Sequence, residues 1–342
     1  MTNKALIFKK IPDGLPIAGK DLTIENVPNE PTPVNGVTLQ SLYASFDPYL
    51  RGKMRAPEIK SYTPAFPLGE PIFNAVIAKV LHSNSKGFKE GDLVLGYLPI
   101  QQYTAVDGDG VKGLKHVENP LGIDIRHFLG ALGMPGLTAY SSLYKIGQPK
   151  KGETIFISAA SGAVGQVVGQ IAKHEGLTVI GGVGTDEKLE YITKDLGFDA
   201  GFNHRKEKPG DALARLAPQG IDIYYDNVGG ETLDAALVAL NVHGRIVACG
   251  SISQYNNKTG EGYGVRNLAY VVAKRLLMQG FIVLDSEFSG PYVAEHQKNV
   301  QQWIKDGSFK ALVYETDGID NAAEGLLGLF TGKNKGKAVL KF

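Results

Sequence analysis

Residues Thr154-Ile-Phe-Ile-Ser158 run directly into Ala159-Ala-Ser-Gly-Ala-Val-Gly165. The first five read as a buried strand, being β-branched and aromatic, and the turn after them opens a helix over Ala163–Glu175. The spacing A-x-x-G-x-x-G is a relative of the dinucleotide-binding fingerprint G-x-G-x-x-G. Gly162 lets a pyrophosphate approach the backbone, and Gly165 lets the helix pack on the strand. The helix N-terminus adds unpaired N–H groups and the positive end of its dipole. A glycine-rich turn alone is weak evidence, because many loops look like this, so its surroundings decide.

Those surroundings alternate. Strand Thr178–Val183 precedes helix Asp186–Leu196, and strand Ala200–Asn203 precedes a helix near Asp211–Leu216. Strand Asp222–Asp226 precedes helix Glu231–Leu240. Strand Arg245–Cys249 is followed by a long loop, a helix over Val265–Leu277 and a closing strand over Gly280–Leu284. Alternating strands and helices imply βαβ units and a parallel sheet, and six strands match a doubly wound α/β dinucleotide domain.

The end of the second strand bears on the cofactor. A binder of NAD places Asp or Glu there to hold the ribose 2′-hydroxyl. Here the strand ends Val183-Gly184, and Asp186-Glu-Lys188 follow on the next helix. Gly184 leaves room and Lys188 supplies positive charge for a 2′-phosphate, which favours NADP; the bland alternative is a solvated helix lysine.

Before residue 126 the texture differs. Val37–Tyr43, Ala75–Leu81 and Asp92–Tyr97 read as strands set among glycines and prolines, so residues 1–125 read as a mostly β domain with a barrel-like core. After the nucleotide domain, Gly290–Lys305 and Ile319–Thr331 read as helices and Lys337–Phe342 as a last strand. So short a strand needs a sheet to join. The β domain is its expected host, which makes residues 1–125 with 300–342 one discontinuous domain and 126–299 the nucleotide domain.

The whole chain has 342 residues, about two domains' worth, with 43% apolar and 21% charged residues. Its 43 glycines, about 13% where roughly 7% is usual, fit a backbone that turns tightly. With 36 basic and 35 acidic residues the net charge is +1, which argues against an electrostatic grip on nucleic acid or on an anionic membrane. The N-terminal apolar run is too short for a signal peptide and no window is apolar enough to span a bilayer, so a cytoplasmic protein is expected. Cys249 is the single cysteine. It ends a buried strand and reads as a small core residue. Alone it rules out a disulfide within the chain and any Cys-rich zinc site, and the 7 histidines show no close metal-ligand spacing. Hydride transfer without a Lewis acid favours a substrate that is already electrophilic, such as an alkene conjugated to a carbonyl. Hydride adds at the β-carbon, charge collects on the oxygen as an enolate, and a hydroxyl donor stabilises it.

Several motifs point further. Asp47-Pro-Tyr-Leu-Arg-Gly-Lys-Met54, Gly133-Met-Pro-Gly-Leu-Thr-Ala-Tyr140, Ala159–Gly165, Gly184-Thr-Asp-Glu-Lys188, Tyr225-Asp-Asn-Val-Gly-Gly230 and Gly250-Ser-Ile-Ser-Gln-Tyr-Asn256 occur in this order. Together they resemble the zinc-independent double-bond reductases of the medium-chain dehydrogenase/reductase superfamily, which include the prostaglandin/leukotriene reductases and the plant alkenal reductases. The resemblance runs from the first strand to Gly332-Lys-Asn-Lys-Gly-Lys337. It implies a Rossmann nucleotide domain with a GroES-like β domain, NADPH-dependent reduction of α,β-unsaturated aldehydes and ketones, and a homodimer. A zinc-free quinone oxidoreductase shares these features, and a cofactor-bound protein without enzymatic activity is a weaker third reading.

Position by position, the resemblance makes Lys188 the 2′-phosphate lysine and Asn227 and Asn334 cofactor-contacting asparagines. It sets Thr138 beside the nicotinamide and Phe281 and Val283 on a strand lining its pocket. Met134, Ser161, Ala163, Val164, Cys249 and Gly250 complete the expected cofactor contacts. Tyr255 and Tyr49 are the expected substrate tyrosines, each able to donate a hydrogen bond to the enolate oxygen. Two positions depart from the pattern. His204 stands where the family often has tyrosine, though with Arg205 it can meet the adenosine phosphate. The plant enzymes also carry a tyrosine near Ala75, which is absent here.

Overall fold

The computed structural model describes residues 2–258 and 260–342. The chain opens with β1 (Asn3–Phe8), β2 (Leu22–Val27), β3 (Val37–Ser45), the one-turn helix α1 (Leu50–Lys53), β4 (Phe73–Ser83), β5 (Leu93–Pro99), β6 (Tyr103–Val106), α2 (Gly108–Val111) and β7 (Lys115–His116). Helix α3 (Met134–Ser142) leads into β8 (Thr154–Ile157), α4 (Gly165–His174), β9 (Thr178–Val183), α5 (Asp186–Glu190), β10 (Ala200–Asn203), α6 (Pro209–Leu216), β11 (Ile221–Asp226), α7 (Gly230–Ala239) and β12 (Leu240–Ala248). Then come α8 (Ala269–Ala273), β13 (Leu277–Gly280), α9 (Ser286–Asp306), β14 (Val313–Asp317), α10 (Ala322–Thr331) and β15 (Lys337–Lys341). The chain divides into two compact units, residues 1–129 with 313–342, and residues 130–312.

The second unit holds a six-stranded sheet in the order β10-β9-β8-β11-β12-β13, with every neighbouring pair parallel. Strands Ile155-Phe-Ile157 and Ile223-Tyr-Tyr225 are fully buried, as parallel strands covered on both faces must be. Phe156 stacks on Tyr224 and on Phe202, at centroid distances of 5.1 and 5.7 Å. The chain winds outward from β8 to β10, then returns to place β11 on the other side of β8. That reversal opens a crevice at the carboxyl ends of β8 and β11, the place where doubly wound sheets bind ligands.

Two sequence expectations need correction here. The helix expected over Val265–Leu277 is confined to Ala269–Ala273, and the strand expected over Gly280–Leu284 lies earlier, at Leu277–Gly280. Arg275 takes a left-handed φ of 50°, which breaks the helix and redirects the chain. Leu277–Gly280 then pairs with Arg245–Ala248. The apolar run from Leu276 to Leu284 carries no internal period, so only pairing with β12 decides which part becomes strand. Phe281 and Val283 therefore follow the strand, on the connection to α9.

The first unit is mostly β. Its seven-stranded sheet runs β14-β15-β3-β4-β5-β7, with β6 also paired to β3 and β1 and β2 forming a separate ladder. Leu6, Phe8, Leu39, Val76, Val94 and Leu340 share one core. The C-terminal β15 pairs antiparallel with β3 and parallel with β14, a strand without an earlier sequence signal. Among the described residues, no helix is long and apolar enough to cross a membrane.

Candidate functional site

The turn after β8 is built for close approach. A Cβ at Gly165 would lie 2.5 Å from the Ala159 carbonyl oxygen and within 2.9 Å of Ala160 backbone atoms, so no side chain fits there. At Gly162 a Cβ would lie 3.1 Å from the same oxygen. Ala159 itself takes a φ of 48°, which folds the turn back over the end of β8. No side chain caps α4, whose Gln166, Val167 and Val168 N–H groups donate to the backbone carbonyls of Gly162 and Val164 at 3.0 Å. Ser161 is buried in this turn and Ala163 and Val164 are half-buried. Small residues, a tight turn and an uncapped helix end together fit a pyrophosphate.

The carboxyl end of β9 is cationic. A Cβ at Gly184 would lie 3.1 Å from His204 Nε2 and 3.7 Å from Arg205 Nε. Burial lowers the His204 pKa, and the neighbouring Arg205 and Lys188 charges push the same way. Lys188 stands on α5, whose N-cap Thr185 accepts the Lys188 N–H at 3.2 Å. The nearby carboxylate of Asp186 is taken, accepting from Asn203 Nδ2 at 2.9 Å and pairing with Lys206. Positive side chains thus converge where an NAD binder would present a carboxylate.

Across the reversal, Asp226 organises the loop after β11. Its Oδ1 accepts from Gly229 N at 2.7 Å, Val228 N at 3.0 Å and the Tyr224 hydroxyl at 2.7 Å, while burial pushes its pKa up. Asn227 is tied to the end of β8: its N–H donates to Ser158 Oγ at 2.9 Å and its Nδ2 to the Ser158 carbonyl at 2.8 Å. Cys249 and Gly250 N–H groups both donate to the Asp226 carbonyl, at 2.9 and 3.0 Å. The Tyr255 hydroxyl oxygen accepts from Ser251 N at 3.2 Å. A Cβ at Gly250 would come within 2.8 Å of that hydroxyl, so the glycine admits the phenol. Ser158, Asn227, Cys249, Gly250 and Tyr255 therefore gather at the carboxyl ends of β8, β11 and β12.

On α3, Thr138 spends its hydroxyl proton on the Met134 carbonyl at 2.8 Å. Its own carbonyl accepts from Ser142 Oγ at 2.7 Å and from the buried Tyr225 hydroxyl at 3.4 Å, tying α3 to β11. Val283 is buried, and the Phe281 ring lies 5.0 Å from that of Phe288.

In the first unit, the Tyr49 hydroxyl donates to Asn74 Oδ1 at 2.8 Å, and burial pushes its pKa far above the phenol range. Asn74 in turn donates to the Ser45 carbonyl at 2.7 Å and to Asp47 Oδ2 at 2.9 Å. Asp47 accepts from Ser45 and pairs with Lys337 at 2.8 Å, the two side chains being 5% and 1% exposed. Burial pulls the Lys337 ammonium below the usual lysine range, against the opposing pull of Asp47. Asn334 is half-buried and donates to the Gly336 carbonyl at 2.9 Å. The sequence singled out Tyr49 and Asn334 but not Asn74, Asp47 or Lys337. Asp47 and Lys337 lay inside quoted motifs, yet nothing local pairs residues so far apart in the chain. Ala75, where the plant enzymes differ, pairs with Tyr97 across β4 and β5, so a tyrosine stands directly opposite.

Zinc does not fit the donor set. Burial pushes the Cys249 thiol up to about 12, which disfavours the thiolate that zinc requires. Among the described residues, no three His, Cys, Asp or Glu side chains are placed to hold a metal ion.

Residues 163–297 match a family model described as zinc-binding dehydrogenase, and residues 4–114 match one for the N-terminal domain of oxidoreductase. The chain is 54% identical to the NADP-dependent oxidoreductase RED1 of Cochliobolus heterostrophus, covering 99% of this chain and 97% of that one. It is 41% identical to the NADP(+)-dependent 2-alkenal reductase of Nicotiana tabacum, with the same coverage, 99% and 97%. The crystal structure of CurA from Vibrio vulnificus in complex with NADPH superposes with a TM-score of 0.88 at 34% identity, over 99% of this chain and 98% of that one. The Escherichia coli quinone oxidoreductase complexed with NADPH, at 20% identity and a TM-score of 0.73, shares the fold. With this donor set, this cradle and these relatives, the chain belongs to the zinc-independent medium-chain dehydrogenase/reductases, among the oxidoreductases of alkenal-reductase type.

Proposed function

We propose that the chain reduces the carbon–carbon double bond of α,β-unsaturated aldehydes and ketones. NADP(H) is its cofactor, and bound NADPH supplies the hydride received at the β-carbon of the substrate. The reading rests on one combination: a hydroxyl donor, Tyr255, at the carboxyl end of the sheet where the donor set does not fit a metal.

Each residue has a physical task in this reading. Ser161, Gly162, Ala163, Val164 and Gly165 hold the pyrophosphate against the start of α4. Lys188, Arg205 and His204 receive the 2′-phosphate in the space left by Gly184. Asn227, Cys249 and Gly250 line the reversal, and Met134, Thr138, Phe281 and Val283 flank the nicotinamide half. Tyr255 donates to the substrate carbonyl oxygen as negative charge collects there, from a hydroxyl whose oxygen is fixed by the Ser251 N–H. Purified protein with NADPH and a simple enal or enone is expected to yield the saturated carbonyl compound, identified by mass. A hydroquinone from a quinone, with every enal and enone untouched, would instead support a quinone oxidoreductase.

We also infer a homodimer. Strand β13 ends the sheet order, and Leu277 and Met278 on it are 45% and 41% exposed, beside Val272 at 81% and Leu284 at 75%. An apolar open edge of this kind invites a second copy of the same edge. Met278→Asp is expected to leave a monomer in sedimentation experiments; a dimer that persists at micromolar concentration removes this edge as the interface.

A further inference from the structure

We propose that His296 and Gln297 are positioning residues for hydride transfer, holding the turn before α3 so that Met134 and Thr138 stay in place beside the nicotinamide; this rests on the placement of those two residues in the reading above. Helices α3 and α9 both lie in the second unit. His296 on α9 is 1% exposed, and its Nε2 donates to the Ala131 carbonyl at 2.8 Å. Its neighbour Gln297 donates through Nε2 to the Leu132 carbonyl at 2.7 Å. The preceding carbonyl, that of Gly130, accepts the backbone N–H groups of Gly133 and Gly136, each at 3.0 Å. Three consecutive carbonyls of the turn are thus held, two of them by side chains 165 residues away.

The imidazole donates in one direction. Burial pulls its pKa down to about 4, so at neutral pH it carries a single N–H. That proton sits on Nε2, which faces a carbonyl, while Nδ1 stands 3.3 Å from Gln297 Nε2. The Gln297 amide nitrogen has two protons and serves both His296 Nδ1 and the Leu132 carbonyl. Gln297 Oε1 accepts in turn from Gln301 Nε2 at 3.2 Å. Every polar atom of the two side chains has a partner inside the protein, so both act through the turn they hold. The glycine of the Met134-Pro-Gly136 run follows from the same contact. A Cβ at Gly136 would lie 1.7 Å from the Ala131 oxygen and 2.8 Å from His296 Nε2. Gly136 leaves the opening through which the imidazole reaches that carbonyl.

The clamp fixes the start of α3. Gly133 is the N-cap of that helix, directly after the two clamped carbonyls. Further along, the Thr138 carbonyl accepts from Ser142 Oγ and from the Tyr225 hydroxyl of β11. The helix is therefore anchored to the sheet at Thr138 and to α9 through the turn, and Met134 lies between the two anchors. Its carbonyl accepts the Thr138 hydroxyl, which links the residues at both ends of this span. Loss of the His296 bond leaves a buried carbonyl unpaired, and the turn must move to satisfy it. A misplacement of about 1 Å at a reacting centre costs roughly 100-fold in rate. The phosphate cradle at 159–165 and Lys188 stand on other elements and keep their positions.

The test compares wild type with His296→Leu, His296→Gln, Gln297→Leu and Met134→Ala. Calorimetry titrates each with NADPH and with adenosine 2′,5′-bisphosphate, which has the adenosine half and no nicotinamide; kcat and KM are read with NADPH and an enone whose product has been identified. His296→Leu is expected to raise the Kd for NADPH about 5- to 20-fold and to lower kcat about 10- to 100-fold, with the bisphosphate Kd and the enone KM within about twofold of wild type. His296→Gln, whose amide nitrogen can reach the same carbonyl, should recover most of both losses. Gln297→Leu should shift the same two quantities in the same direction, and it carries the comparison by itself if His296→Leu does not fold. The proposal is overturned if both ligands weaken alike, or if NADPH affinity and kcat stay within about twofold of wild type in both leucine variants. Wild-type protein that forms no saturated product defeats the enal and enone reading, and the two titrations then decide this inference by themselves. Met134→Ala that binds NADPH and turns over like wild type defeats the placement of α3 beside the nicotinamide, and this inference with it. An impaired Met134→Ala beside unaffected leucine variants defeats this inference alone.

Discussion

Lys188→Ala is expected to raise the Kd for NADPH about 10- to 100-fold while changing that for NADH less than threefold. A charge-assisted hydrogen bond contributes about 1.5–3 kcal/mol, and each 1.4 kcal/mol is a factor of ten. Lys188 lies on α5, near enough for its charge to act on His204, and His204 and Arg205 are the side chains closest to Gly184. Truncation therefore removes an attraction that only the 2′-phosphorylated cofactor feels. Titration of both cofactors by fluorescence quenching gives the two constants directly. Equal losses for NADPH and NADH would place Lys188 outside the 2′-phosphate contact.

Lys337→Met is expected to destabilise the protein by about 3–5 kcal/mol, because it leaves the Asp47 carboxylate buried without its cation. Lys337 also donates to the Phe46 carbonyl at 2.6 Å, so a second buried acceptor loses its partner. The double variant Lys337→Met/Asp47→Leu should recover a large part of that loss, since two apolar residues can replace a buried pair at low cost. Urea unfolding of the three proteins measures this. A loss below about 1 kcal/mol for the single variant, or no recovery in the double, contradicts the assignment of the pair as a buried structural link. The single variant should also loosen Asn74, and through it the hydroxyl of Tyr49.

Much of the nucleotide domain was legible because its signals are local. Alternating strands and helices, small residues at 162 and 165, and the missing carboxylate after Val183 all depend on neighbours within one βαβ unit. The structure adds the reason for Gly165, whose Cβ would meet the backbone of Ala159 and Ala160. Where local signals were absent, the reading slipped. The apolar run after Arg275 had no period to set its register, and β14 is a five-residue strand that exists because β15 lies beside it.

The amino-acid sequence by itself determined the alternation of strands and helices in the nucleotide domain, the glycine-rich turn after β8 and the lack of a second cysteine, since each follows from spacing or from a count. Tertiary structure alone decided where protons point and which charges are buried. Tyr49, Asn74, Asp47 and Lys337 form one hydrogen-bonded chain although 290 residues separate its last two members. Lys53 donates to Tyr97, 44 residues away. A hydroxyl's donor or acceptor role depends on what packs within 3 Å of it, and no local spacing carries that information.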